Sequence, residues 1–313
     1  MKEFLFENCP SQEPQTLLLC NDCLWVLSNV AGDCIELRLE LASSTQFRAI
    51  LCFMLSYGLG KPDLKQEIAL TISVVCQSVS RSKEDRIMAA PETARYFAAT
   101  VLHILEYFDR NLRDLIIENC FNTLQLVVRG CAENPPDKQW LVDTFMSEST
   151  VFLIEKFSVS PSHVARKAVL RFVEQLGQHN HVLIGLLRAG ILPLMHELLT
   201  GSHLNVGERI SVLRFLSNLC TVGSSAVEKL CARANLLSDL VCLAMSDCEP
   251  MAIVQESYFV LCNAVVKAAP KELEKMWEER VSDTLVNAYE NRIKIPVPND
   301  IFRAYVKFTD CFL

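Results

Sequence analysis

One pattern restricts the fold of this chain more than any other: a bulky residue followed four positions later by Asn, set inside an apolar helical stretch, and repeated. It occurs at Trp25/Asn29, Arg214/Asn218 and Phe259/Asn263, with weaker copies at Ser73/Gln77, Thr123/Val127 and Arg171/Gln175. The first members stand at 25, 73, 123, 171, 214 and 259, so the intervals are 48, 50, 48, 43 and 45 residues. Self-similarity at such a period is the mark of stacked supersecondary units, each too small to bury its own apolar face. Residues four apart lie one above the other on a helix, so each copy presents its two members along one helical line.

The period is that of armadillo or HEAT units. Between the marks, apolar segments alternate with turn signals. After Asn218 the reading is a turn at Gly223-Ser224-Ser225, a short helix from Ala226 to Arg233, an apolar helix from Leu236 to Met245, a break at Asp247 to Pro250 and a long helix to Ala268. The preceding unit reads alike, with Val182 to Leu187, Leu192 to Leu199 and Val206 to Leu219 separated by Ala189-Gly190 and Gly201-Ser202. One short helix and two longer ones per unit is the armadillo plan. Alternating apolar runs are few and the hairpin dipeptides Asn-Gly and Asp-Gly do not occur.

The expected fold is therefore all-α: a right-handed armadillo superhelical solenoid of about six three-helix repeats. Residues 1–313 form a single solenoid, divided as 1–33 (partial), 34–80, 81–130, 131–178, 179–222, 223–268 and 269–313 (partial). Residues 1–33 read as the last two helices of a unit and Asp300 to Leu313 as an incomplete one. Asp85 to Ala94, with Ala90-Pro91, reads as an insertion or long turn, and Ile295 to Asn299 as a further break.

Half of the 313 residues are hydrophobic, enough for a large core. The balance of 30 basic and 37 acidic residues gives a net charge of −7, which is no footprint for nucleic acid or an anionic membrane and suits a basic partner. The longest uncharged apolar segment, around Ile68 to Ser80, is shorter than the roughly 20 residues that span a bilayer. No basic region leads into an apolar run after Met1, so no signal peptide is expected, and the protein reads as soluble and intracellular. The 14 cysteines are scattered through apolar stretches such as Leu51-Cys52-Phe53 and Val75-Cys76, which fits reduced, core-packed thiols.

Other chemistry finds little support. Cys20 and Cys23 have zinc-like spacing but no second pair, and His179-Asn180-His181 lacks a third ligand and reads as a turn, so no metal is expected. No phosphate loop, nucleophile elbow or carboxylate pair stands out, so neither enzyme activity nor a cofactor is expected. Lys83 to Arg86 and Glu272 to Lys275 read as solvated helix faces with local ion pairs. Trp140 and Trp277 fall outside the repeat register and read as packing residues.

The stretch from Leu24 to Asp33 resembles the third repeat of the importin-α family, the armadillo adaptors that recognise nuclear localisation signals, because Trp25, Asn29 and Asp33 have that family's spacing. Arg171 falls where the sixth repeat also carries Arg, Ser217-Asn218 fits the seventh, and Glu256 to Asn263 matches the eighth with Phe259 in place of Trp. The resemblance covers nearly the whole chain, as repeats three to eight and part of a ninth. It implies that Asn side chains hold the backbone of an extended peptide. Neighbouring aromatic faces would form slots for Lys or Arg stems, and Asp33 and Glu256 would select cationic tips.

On this reading Trp25, Asn29 and Asp33 belong to the family's major site, and Asn218, Glu256, Phe259 and Asn263 to its minor one. Ser73/Gln77 and Thr123/Val127 carry neither ladder member, so the stronger half is expected around Asn218 and Asn263. Arg171 and Arg214 would oppose a basic peptide or pair internally with acids of the groove. The resemblance implies a protein or peptide cargo, basic in character, a role in nuclear import and residence in cytoplasm and nucleus. The family's importin-β-binding basic segment has no counterpart, so docking of that carrier is not expected. The alternative is a degenerate scaffold that reads no signal and holds a constitutive partner, or a second copy of itself, through apolar ends.

Overall fold

The computed structural model describes residues 13–58, 64–80, 91–108, 112–132, 137–145, 148–290, 304, 306 and 307. Seventeen α-helices and no strands occur among them. They are α1 (Pro14–Asp33), α2 (Ile35–Ser43), α3 (Thr45–Phe53), α4 (Lys65–Ser80), α5 (Pro91–Tyr107), α6 (Asp114–Ala132), α7 (Asp137–Phe145), α8 (Glu148–Ser158) and α9 (His163–Leu176). There follow α10 (Asn180–Arg188), α11 (Ile191–Thr200), α12 (Val206–Thr221), α13 (Ser224–Ala232), α14 (Leu236–Ala244), α15 (Met251–Lys267), α16 (Pro270–Glu278) and α17 (Val281–Glu290). Two compact units result, residues 1–141 with 156–175, and residues 142–155 with 176–313.

In the first unit the long helices α1, α4 and α6 pack in succession, and α5 lies against α6. Their buried faces interlock through residues such as Leu24, Ile72, Val75, Phe97 and Ile116, all at most 1% exposed. Phe121 of α6 meets Phe157 edge-on at 5.5 Å and Phe172 of α9 at 5.6 Å, which joins three helices in one aromatic cluster. Tyr96 of α5 donates its hydroxyl to the Arg48 carbonyl at 2.6 Å and so fixes α5 on α3. A π-helical turn, Met54–Gly58, extends α3 and stacks Phe53 on Tyr57.

Cations from following helices close several helix ends. Arg38 of α2 donates to the carbonyls of Ala31 and Gly32 at 3.0 and 2.9 Å, at the C-terminus of α1. A positive charge there satisfies orphan carbonyls and opposes the negative end of the helix dipole. Lys156 reaches the Leu105 and Phe108 carbonyls at the C-terminal end of α5, and Lys307 reaches those of Val266 and Ala268 at the C-terminal end of α15. Arg38→Ala should lower the stability of the first unit by about 1–2 kcal/mol. The midpoint of urea unfolding measures it, and Arg38→Lys, which keeps the charge, should recover part of the loss.

In the second unit α12 packs along α15, α14 packs on α15, and α13 packs on α16. Gly190 links α10 to α11 at φ 88°, a left-handed conformation that costs glycine nothing and lets two residues turn the chain. Asn205 opens α12 with a capping box: its Oδ1 accepts from the Glu208 N–H at 3.0 Å while Glu208 Oε2 accepts from the Asn205 N–H at 2.9 Å. Tyr258, Phe215, Leu261 and Leu240 are fully buried in this core.

Several expectations change. Pro91 opens α5, so residues 91–94 are the first turn of a helix and not part of a long turn; proline suits that place because its missing N–H would find no partner there. Glu272 and Leu273 are buried, and Lys275 donates to the Cys231 carbonyl, so Glu272 to Lys275 is an inter-helix contact and not a solvated face. Trp277 is 51% exposed on α16 and is not a core packing residue; Trp140 is half-buried with the Arg95 guanidinium 5.8 Å from its ring centroid. Cys20, Cys76, Cys120, Cys220, Cys231 and Cys262 are buried, but Cys52, Cys242 and Cys248 are exposed. The eleven cysteines whose side chains are described are free thiols. The readings of residues 1–12, 81–90, Ile295 to Asn299 and most of Asp300 to Leu313 lie outside the described residues.

Candidate peptide-binding helix faces

In α1 the sequence folds so that Leu17, Cys20, Leu24, Ser28 and Ala31 face inward, which leaves Trp25, Asn29 and Asp33 outward on the opposite side. Trp25 is 38% exposed, and Asn29 and Asp33 are both exposed. Asp22 is exposed on the same side, one turn before Trp25. No Lys or Arg occurs between Pro14 and Asp33, and neither Asp22 nor Asp33 pairs with a cation among the described residues. The rung therefore combines an indole face, an amide and two carboxylates without an ion pair among the described residues, with the Arg38 guanidinium on the Ala31 and Gly32 carbonyls next to Asp33. The Ser28 hydroxyl donates to the Trp25 carbonyl at 2.7 Å and stays inside.

The weaker marks of α4 and α6 are not on the surface. Ser73, Thr123 and Val127 are completely buried, and only Gln77 of those two pairs is half-exposed. Ser73 instead plays the part of Ser28, since its hydroxyl donates to the carbonyl three residues earlier, Leu70, at 2.8 Å. The outward line of α4 passes through Glu67, Leu70, Val74 and Gln77, and that of α6 through Leu115, Glu118, Asn122, Gln125 and Arg129. On α4 apolar Leu70 and Val74 thus stand where α1 has Trp25 and Asn29. Arg171 of α9 is exposed, while Gln175 accepts from Arg129 Nη2 at 3.4 Å.

In the second unit polar ties join α12 to α15, and to the turn before it, in order along their length. Arg209 forms a bidentate pair with Glu249 at 2.8 and 2.9 Å, Arg214 Nε donates to Glu256 Oε1 at 2.9 Å, and Asn263 Nδ2 donates to the Ser217 hydroxyl at 2.8 Å. Asn218, Glu256, Phe259 and Asn263 are all half-buried. Glu256 and one N–H of Asn263 are thus already engaged within the chain, whereas the Asn218 side chain makes no hydrogen bond among the described residues.

Asn119, 3% exposed, escapes the sequence pattern; its Nδ2 donates to the Ser73 hydroxyl at 3.3 Å, as Asn263 does to Ser217, with 46 residues between partners in both cases. A pattern of Asn alone would include it, because it follows Asn29 by 90 residues, two units of 45. Cys20 is buried in α1, His179 is the N-cap of α10, and Asn180 and His181 are in its first turn. No group of three His, Cys, Asp or Glu able to hold a metal occurs among the described residues. No single described helix is long and apolar enough to cross a membrane.

No protein-family model matches the chain, and no characterised protein matches it by sequence. Solved structures do resemble it. An engineered protein from a structural genomics consortium superposes with a TM-score of 0.59 at 13% identity, over 83% of this chain and 97% of the other. A designed armadillo repeat protein gives 0.57 at 14% identity, over 88% and 98% of the two chains. Another, solved in complex with the peptide (KR)4, gives 0.55 at 13% identity with the same coverage. The fold is that of an armadillo repeat protein, and at these identities the likeness extends to the fold alone.

Proposed function

We propose that this chain is a non-enzymatic adaptor similar to importin-α, which holds an extended basic segment of another protein on the outward faces of its long helices, in nuclear import. The observation that carries the reading is the α1 rung, where Trp25, Asn29, Asp22 and Asp33 share an exposed face and neither carboxylate pairs with a cation among the described residues. The indole offers a cation–π surface, the amide can donate and accept at once, and the carboxylates favour ammonium or guanidinium tips. A designed protein of the same fold, solved with a peptide of Lys-Arg repeats, supports peptide binding by such a scaffold. The weight falls on α1, because Glu256 already carries the Arg214 cation and Asn263 already donates to Ser217. Cytoplasm and nucleus are the corresponding locations.

A fluorescent Lys-Arg octapeptide titrated by anisotropy tests the reading. Trp25→Ala with Asn29→Ala should weaken binding about ten- to a hundredfold, since both the cation–π interaction and the amide hydrogen bonds disappear. Equal affinity in the double variant would refute the assignment. A second reading, a scaffold for a constitutive partner, draws on the exposed Leu18, Leu19, Val26 and Val30 of α1. Monomeric light scattering together with peptide binding by α1 would exclude it in favour of the first.

A further inference from the structure

We infer that Arg214 is an internal cation that occupies Glu256 and closes the α12–α15 face to basic side chains, so that its charge sets the ligand specificity of the second unit. This rests on the peptide-binding reading above and adds to it a device particular to this chain. Glu256 sits on α15 one turn before Phe259 and two before Asn263, where a carboxylate, an aromatic ring and an amide follow one another along one line. That is the same order of chemistry needed to hold a cationic side chain and its backbone. The carboxylate, however, already accepts from Arg214 Nε at 2.9 Å.

Two features show that the pair is built in and not a chance surface contact. The Glu256 side chain is only 18% exposed while that of Arg214 is 49% exposed, so the guanidinium covers the acid from the solvent side. The flanking ties, Arg209 with Glu249 and Asn263 with Ser217, hold the two elements in the register that brings Arg214 onto Glu256. A bidentate Arg–carboxylate pair fixes geometry as well as charge. Among the charges of α12 and α15, Glu208 is used in the capping box, Arg209 is paired with Glu249, and Lys267 stands at the C-terminal end of α15. An arriving Lys or Arg would therefore find its carboxylate neutralised and a like charge beside it.

The test removes the charge and keeps a polar side chain of shorter reach, in a background where α1 is disabled. With Trp25→Ala and Asn29→Ala in place, Arg214→Gln should raise affinity for the Lys-Arg octapeptide about three- to tenfold. Arg214→Lys, which keeps the cation, should give little of that gain, and adding Glu256→Gln to Arg214→Gln should abolish it. The gain should shrink as salt rises. The inference is overturned if Arg214→Gln leaves affinity unchanged or lowers it, or if the gain survives Glu256→Gln. Failure of the α1 reading looks different: Trp25→Ala with Asn29→Ala then has no effect on the otherwise unaltered protein, whatever Arg214→Gln does.

Discussion

Raising the pH from 8 to 10 under reducing conditions should strip about 5 kcal/mol from the folded chain, a loss comparable with the whole stability of a typical domain. The source is a set of buried thiols. Burial pushes Cys76, Cys120 and Cys220 far above the ordinary thiol value of 9.0. It lifts Cys231 to about 11, with Glu272 adding to the shift and Lys275 opposing it. In the unfolded chain these groups ionise as pH passes their ordinary value, while in the fold they keep their protons. The unfolded state then binds fewer protons, so stability falls as pH rises, by about 1.4 kcal/mol per thiol per pH unit. The window opens near pH 9 and, for Cys231, closes near 11. Tyr96 and Tyr258, also raised by burial, add to the loss above pH 10. Urea unfolding followed from pH 7 to 10.5 measures the slope. Cys76→Ala with Cys120→Ala should lower it by about 3 kcal/mol per pH unit above pH 9, because each retained thiol proton contributes about 1.4 kcal/mol. A flat profile through pH 10 would show that the thiols are not sequestered.

Phe121→Ala should destabilise the first unit by about 3–5 kcal/mol. The ring is 1% exposed and touches Phe157 and Phe172, themselves 2% and 1% exposed, so truncation leaves a cavity walled by helices that are each held elsewhere. Such a site cannot collapse to fill the space, and the attraction of the ring for its two aromatic neighbours makes up a further part of the total. Phe121→Leu, which retains most of the volume, should cost much less. The measurement is again the unfolding midpoint; a shift below about 1 kcal/mol would mean that the cluster is not the centre of that unit.

The fold is legible because its signal is long-range repetition of helical apolar periodicity, which survives loss of any single residue. The paired short and long helices from Asn180 to Lys267 lie where their turn signals put them: Ala189-Gly190, Gly201-Ser202 and Asp247 to Pro250 each separate two helices. Pro91 is ambiguous in the sequence because proline both breaks helices and opens them, and the residue type alone does not say on which side the helix lies. Counted from Trp25 at a period of 45, Ser73 stands three residues late and Thr123 eight late, and both point into the core. At about 100° per residue, displacements of three and eight turn a side chain by roughly 60° and 80° about the helix axis, enough to carry a mark at the edge of the outward face into the core.

By itself, then, the sequence determined that the chain is a stack of helical units with a period near 45 residues, and that Trp25, Asn29, Asn218, Glu256, Phe259 and Asn263 stand at related places in it. Those properties lie in the order of residues along the chain: spacing of four within a helix and recurrence of that spacing from one unit to the next. Only the tertiary structure decided which of these groups remain available. Asn263 is bound to Ser217, Glu256 to Arg214, and Asn119 to Ser73, each by a partner 42 to 46 residues away on the neighbouring helix. Asp22 and Asp33 pair with no such cation among the described residues. Hydrogen bonds and ion pairs between successive units depend on how two helices are rotated against each other. That rotation is fixed by the packing of their buried faces.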